Sequence, residues 1–340
     1  MDRIQDIAQA LVAPGKGLLA ADESTATIKK RFDGIGIEST ETSRRDYREM
    51  MFRADDAMKS CISGVILYEE TLLQRAADGT PLTDVIRANG AIPGIKVDAG
   101  AKPMALFPGE TITEGLDGLA GRLKTYHDAG ARFAKWRGVI SISATLPSFG
   151  AVKANAQALA RYAALCQEAG IVPIVEPEVL MDGEPGDHAI TRSQDVTEAV
   201  LRTVFLELAD QRIDLEGMIL KPSMVIDGKK ARKASVEEVA ERTVKVLRNT
   251  VPSSVPGIAF LSGGQSTEEA TAHLSAMNAA YDLPWQLTFS YGRALQASAL
   301  TAWAGKPENI AAGQRAFAHR AEMNSLAARG AWRKDLETAA

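Results

Sequence analysis

Cysteine and histidine are scarce in these 340 residues. The two cysteines, Cys61 and Cys166, sit in apolar stretches with no CxxC spacing. That excludes a disulfide framework and reads as two buried thiols in a reducing compartment. The four histidines, His127, His188, His273 and His319, are scattered, and none has a second His or Cys at ligand spacing. A zinc site needs about four convergent ligands, so no metal or other cofactor is expected. Long hydrophobic runs are also missing. No stretch of 18 apolar residues occurs, so no membrane span is expected. The N-terminus MDRIQDIAQALVAPGKG lacks the basic start and apolar core of a signal peptide. Cytoplasm is therefore the expected location. The net charge of −4 gives no support to non-specific nucleic-acid binding.

What is present is an alternation of short apolar runs with longer amphipathic ones. Apolar residues make up 46% and charged residues 24%, as in a globular protein. Eight runs have strand length and apolar character: 17–22, 62–69, 92–98, 132–138, 171–178, 216–221, 257–263 and 286–292. Helical spacing marks 39–59, 114–129, 153–169, 194–211, 235–249 and 267–281, with a shorter segment at 75–87. Ser235 with Glu238 and Ser266 with Glu269 read as capping boxes. Two more helices, 294–303 and 308–329, follow the eighth strand run. Eight strands alternating with helices predict an α/β fold, a (β/α)8 TIM barrel. It forms a single domain over 1–340 with extra C-terminal helices, and 330–340 is a short tail. An open doubly wound sheet competes, but no strand is followed by a GxGxxG turn.

Charged residues fall at the C-terminal ends of the strand runs, where barrel active sites form. Asp22 ends the first run, Lys96 and Asp98 the third, Glu176 and Glu178 the fifth and Lys221 the sixth. Lys135 and Arg137 lie in the fourth. Residues i and i+2 share a strand face, so each pair points together. One such charge is ordinarily a solvated strand end or half of an ion pair. Desolvating five strand ends at once is costly without a ligand or mutual pairing. Lys221 follows GMIL and precedes Pro222, so pairing stops there. A lysine in apolar surroundings near another cation, here Lys135, loses basicity and becomes a nucleophile. Glu176 suits proton transfer around an imine. Glu178 is either a second relay carboxylate or ion-pair support.

Anion-binding signals follow the last two strands. LSGGQS carries Ser262, Gly263 and Gly264 ahead of a helix, and FSYGRA carries Ser290, Gly292 and Arg293. Loops seven and eight form the usual phosphate site of this fold, and helix N-termini favour anions. A single SGG is more often an ordinary turn. Near the first strand lie Ser24, Thr27, Lys30 and Arg31; they read as a capped helix start or as a second phosphate site.

The stretches PGKGLLAADEST, GVILYEETL, GIKVD, FAKWR, ARYAALCQEAGIVPIVEPE, LEGMILKPSM, FLSGGQS and LTFSYGRALQASALTAW together resemble class I fructose-1,6-bisphosphate aldolases. They run in that family's order from about Gly15 to Leu326. The resemblance implies cleavage of a sugar bisphosphate through a lysine Schiff base, in glycolysis and gluconeogenesis. It places Lys221 as the Schiff-base amine and Glu176 as the acid of carbinolamine dehydration. Glu178 is the second acid, Asp22 lies near the C4 hydroxyl, and Lys135 aids imine formation. Ser24, Thr27, Arg31 and Lys96 fall to one phosphate end, and Ser262, Gly263, Gly292 and Arg293 to the other. Ser290 and Arg137 complete the substrate-binding set. Sugar phosphates are the expected partners, with a homotetramer implied by resemblance only. Three departures stand out. Ser223 replaces the Asn usual in KPNM, and Ala26 and Thr27 replace a common Gly and Ser. The given residues also end RKDLETAA, with no tyrosine after Tyr291. Eukaryotic members end in a tyrosine that assists proton exchange, so that step has no assigned residue here. A transaldolase or deoxyribose-phosphate-type aldolase would share the lysine but need one phosphate site. A non-catalytic scaffold would have lost the lysine or its acids. Preference between fructose 1,6-bisphosphate and the 1-phosphate is not decided by these residues.

Overall fold

The computed structural model describes residues 3–338 apart from 182 and 184. Eight parallel strands close into a barrel: β1 Gly17–Ala21, β2 Ile62–Leu67, β3 Ile92–Lys96, β4 Phe133–Ile140, β5 Val172–Val179, β6 Ile219–Leu220, β7 Gly257–Phe260 and β8 Gln286–Tyr291. Each lies inside or overlaps one of the eight expected runs. Sixth-strand pairing is the shortest, because Leu215–Gly217 forms a 3-10 turn first. β4 and β5 pair over eight residues, from Phe133 with Val172 to Ile140 with Val179.

Side-chain alternation sorts the strands into two cores. Leu19, Ala21, Ala134, Trp136, Val175, Leu220 and Phe260 point outward and pack under the surrounding helices. Leu18, Ala20, Ile66, Phe133, Val172, Ile174, Ile219 and Ala259 point inward and fill the lower barrel. The helix Ile4–Leu11, not expected from the sequence pattern, closes the bottom by adding Ile7, Ala8 and Leu11 to this inner cluster. Two residues further up the same inward faces stand Asp22, Lys135, Glu176 and Lys221. The period-2 geometry of a strand therefore builds an apolar floor beneath a charged mouth.

Several boundaries differ from the sequence expectation. The run 39–59 is two helices, Glu41–Phe52 and Asp55–Cys61, parted at Arg53 and Ala54. Segment 75–87 holds only Leu82–Ala88, preceded by Glu69–Leu73. The helix expected from 114 starts at Leu119. Just before that stretch, Thr111–Thr113 pairs with Ala101–Pro103 as an antiparallel hairpin that the sequence pattern does not predict. Ser266 and Glu269 form the full capping box, whereas Ser235 caps Glu238 without the reciprocal bond. The C-terminal helices are Arg293–Trp303 and Ile310–Ala328. Beyond them Glu337 accepts from Arg320 and from Trp332 Nε1, holding the last described residues against the body.

Glycine makes room inside the barrel at Gly94. A Cβ there would lie 2.3 Å from the Phe133 ring, which occupies the space instead. Gly94→Ala is expected to lower stability by about 1–3 kcal/mol in urea unfolding. Gly121→Ala, in a helix with nothing near the added Cβ, is expected to raise it by about 0.5–1 kcal/mol. Equal effects at the two sites would contradict this packing.

Candidate active site

The charged mouth opens into a cleft of about 640 Å³ at the C-terminal ends of the strands. All fifteen residues singled out from the sequence line it: Lys221, Glu176, Asp22, Lys135, Glu178, Ser24, Thr27, Arg31, Lys96, Arg137, Ser262, Gly263, Ser290, Gly292 and Arg293. Asp98, also noted, lines it too, whereas Gly264 and the exposed Lys30 do not.

At the centre is a chain of alternating charges. Lys221 Nζ lies 3.2 Å from Glu176 Oε1. Glu176 Oε2 lies 3.3 Å from Lys135 Nζ, which lies 2.9 Å from Asp22 Oδ2. Glu176 thus bridges the two amines that the sequence places near each other. Lys221, Lys135 and Glu176 are each about 4% exposed. Such burial is tolerable only because each charge meets an opposite one. Burial opposes ionisation of Asp22, but the neighbouring Lys135, then Lys221 and Lys96, hold its carboxyl down at about 2. For Lys135, burial favours the neutral amine. Asp22, Glu176 and Asp98 outweigh it and raise its pKa well above the ordinary lysine value.

Flanking pairs hold the rim. Lys96 Nζ meets Asp98 Oδ1 at 2.8 Å, and the same carboxylate accepts from Gly100 N at 3.1 Å. Arg137, partly exposed, donates from Nε to Glu178, whose charge outweighs burial and raises the guanidinium pKa further. Glu178 is thus tied to Arg137, not to either central lysine. Ser223 is buried, and its hydroxyl accepts from Val179 N at 3.2 Å, joining the loop after Lys221 to the end of β5.

Two sets of anion-binding features line this cleft. Arg293 Nη2 donates to the carbonyls of Gly263 at 3.1 Å and Gln265 at 2.9 Å, so it ties the seventh loop to the eighth. Gly292 precedes the helix Arg293–Trp303, whose N-terminus no side chain caps. Ser290 Oγ is buried and has no hydrogen-bond partner among the described residues. An orphaned hydroxyl beside an uncapped helix start suits a phosphate oxygen. Ser24 does cap the helix Thr25–Asp33, accepting from Thr27 N, and its hydroxyl is 3.1 Å from that of Thr27.

Some lining residues carried no signal in the sequence. Glu23 is 7% exposed, pairs with Arg31 and accepts from Gln296 Nε2 at 2.9 Å. Its partners lie 8 and 273 positions away, so only the tertiary fold reveals the network. Among the described residues, no three or more His, Cys, Asp or Glu side chains gather as metal ligands. No helix there is long and apolar enough to cross a membrane.

Fold and cleft together define a (β/α)8-barrel enzyme built around a buried amine. The family model for class I fructose-bisphosphate aldolase matches residues 3–340. A protein of Xanthomonas campestris pv. campestris described as a probable fructose-bisphosphate aldolase class 1 is 54% identical, over 98% of this chain and 99% of its own. Fructose-bisphosphate aldolase C of Carassius auratus is 55% identical, over 96% and 90%. A crystal structure of the Plasmodium falciparum fructose-bisphosphate aldolase, solved with TRAP and a small-molecule inhibitor, is 48% identical. It superposes with a TM-score of 0.93, over 97% of this chain and 95% of that one. The chain belongs to the class I fructose-bisphosphate aldolase family, and its reaction is the reversible aldol cleavage of fructose 1,6-bisphosphate through a lysine Schiff base.

The Asp22 carboxyl carries a prediction about acid stability. Its folded pKa of about 2 is below the ordinary 3.8. Its ionic contribution is therefore complete above pH about 4 and lost as pH falls through 2. Relative to Asp22→Asn, the wild type should lose about 2 kcal/mol on going from pH 5 toward 2. Urea titrations showing a constant difference across that range would contradict the ion-pair assignment.

Proposed function

We propose that Lys221 is the amine that forms the Schiff base and that the neighbouring charges divide the proton transfers among them. The observation that carries this is the continuous contact chain from Lys221 through Glu176 and Lys135 to Asp22. The ketone at C2 of fructose 1,6-bisphosphate is attacked by neutral Lys221 Nζ. Glu176, in contact with that nitrogen, first takes the proton that Lys221 gives up, then returns it to the departing hydroxyl of the carbinolamine, and water leaves. The iminium then accepts the electron pair of the C3–C4 bond as it breaks. Asp22, ionised at neutral pH, takes the C4 hydroxyl proton, and glyceraldehyde 3-phosphate departs. Protonation of the enamine at C3 and hydrolysis of the iminium release dihydroxyacetone phosphate and restore the amine. Lys135 keeps its proton throughout, which orients Asp22 and Glu176 and stabilises Asp22 as an anion. Glu178 supports Arg137 at the rim.

The phosphates supply binding energy remote from the breaking bond and hold C2 against the amine. Ser262, Gly263, Ser290, Gly292 and Arg293 receive the phosphate on the dihydroxyacetone side. Ser24, Thr27, Arg31 and Lys96 receive the other, with Arg137 beside them.

In the cell the reaction belongs to glycolysis and, reversed, to gluconeogenesis, in the cytoplasm. Residues 1–340 make up one barrel domain, of which 1, 2, 182, 184, 339 and 340 lie outside the described residues. The chain assembles as a homotetramer. Leu106, 98% exposed at a left-handed φ of 67° near the turn of the Ala101–Thr113 hairpin, and Phe149, 73% exposed, support an interface between copies.

Two measurements test the assignment. Glu176→Gln should lower kcat by about 10²–10⁴-fold, the range typical of general acid–base groups. Ser24→Ala combined with Thr27→Ala should raise the KM for the bisphosphate about tenfold, as loss of hydrogen bonds to a charged group predicts. The KM for fructose 1-phosphate, which lacks that phosphate, should stay the same. An unchanged bisphosphate KM would sink the two-phosphate reading.

A further inference from the structure

Behind the seventh-strand loop lies a buried polar pair that the reaction chemistry does not use. Gln265 is 3% exposed and His273 6%. Gln265 immediately precedes Ser266, the N-cap of the helix Thr267–Ala280, and His273 lies about two turns into that helix. Gln265 Nε2 donates to the Ser262 carbonyl at 2.9 Å, and the Gln265 backbone N–H donates to the same oxygen at 3.2 Å. Gln265 Oε1 is 2.6 Å from His273 Nδ1.

The direction of every bond in this chain follows from its ends. A backbone carbonyl can only accept, so the amide nitrogen of Gln265 must face Ser262. Its oxygen must then face the imidazole, and His273 Nδ1 must carry the proton. Burial holds the ring well below the usual histidine range, at about 4, against the opposing pull of Glu269; Lys233 and Glu237 are the other charges that face it. At neutral pH the ring is therefore the uncharged Nδ1–H tautomer, a fixed donor.

We propose that Gln265 and His273 are positioning residues that set the shape of the Ser262–Gly264 loop for the substrate phosphate. The inference rests on the reading of that loop as a phosphate site. With Arg293 on the Gly263 and Gln265 carbonyls and Gln265 on the Ser262 carbonyl, three acceptors of the loop are occupied. They no longer repel an anion. Gly263, at φ 52°, lies in the left-handed region at the turn of this loop. That local conformation would relax without an anchor, and the His273–Gln265 chain supplies one from behind. The cavity beside the pair is only about 40 Å³, so the two side chains have little freedom to slide. Neither residue touches the reacting carbons, so their loss should weaken phosphate binding rather than slow the chemistry.

The test compares His273→Leu, His273→Asn, Gln265→Met and Ser262→Ala in the full-length enzyme. It reads KM and kcat for fructose 1,6-bisphosphate and the inhibition constant of inorganic phosphate. His273→Leu and Gln265→Met should each raise KM and the phosphate constant about five- to tenfold, with kcat within twofold. His273→Asn, whose Nδ2–H can stand where Nδ1–H stood, should return both to within about twofold of the wild type. If His273→Leu fails to fold, the contrast between Gln265→Met and His273→Asn carries the same decision. An Asn variant no better than Leu, or no better than Gln265→Met where Leu does not fold, would mean that the pair only packs, and the proposal falls. If Ser262→Ala raises KM while neither Gln265→Met nor any folded Leu variant does, the phosphate reading stands and positioning is overturned. If Ser262→Ala also leaves KM unchanged, the phosphate reading fails and takes this inference with it.

Discussion

The contact between Glu176 and two lysines is the constraint around which the cleft is organised. A carboxylate shared by Lys221 and Lys135, with Asp22 on the far side of Lys135, puts two positive and two negative charges in a nearly dry space. Any one of them alone would be costly to bury; together they are compensated. The arrangement also separates roles. Lys135, held by two carboxylates, stays charged. Lys221 touches only Glu176 among them, and that contact is the one a ketone would interrupt.

Strand geometry explains how such a cluster sits on a stable barrel. Along β5, Val172 and Ile174 point into the apolar floor, and Glu176 and Glu178 continue the same face into the mouth. Phe133, Lys135 and Arg137 repeat the pattern on β4, in register beside them. The floor supplies the stability and the mouth the chemistry. The helix Ile4–Leu11 seals the floor, so burial below does not depend on anything bound above.

The barrel and the central charges were legible in the sequence because both follow from local rules. Apolar runs of strand length place β1 to β8, and charges at or near the ends of five of those runs point to the mouth. What was not legible depends on long-range meetings. The helix starting at Ile4 looked like an ordinary N-terminus, because its role appears only once a barrel bottom exists. The hairpin 101–113 falls between the third strand run and the helical stretch from 114, with strands of only three residues, and the break at Arg53–Ala54 carries no glycine or proline signal. Around the site, Glu23 and the Gln265–His273 pair escaped notice. A carboxylate beside a helix start and a lone histidine on a helix are usually bland, and only folding brings Glu23 to Gln296 and His273 to Gln265. From sequence Glu178 fits either a relay or a support role, and its bond to Arg137 favours support.

The account stands or falls on the identity of the imine-forming residue. The most direct measurement is borohydride reduction of the enzyme with dihydroxyacetone phosphate, followed by mass mapping of the peptides. A single stable adduct on Lys221, and none on Lys135 or Lys96, is the predicted result. An adduct on either of those lysines, or no adduct at all, would contradict it.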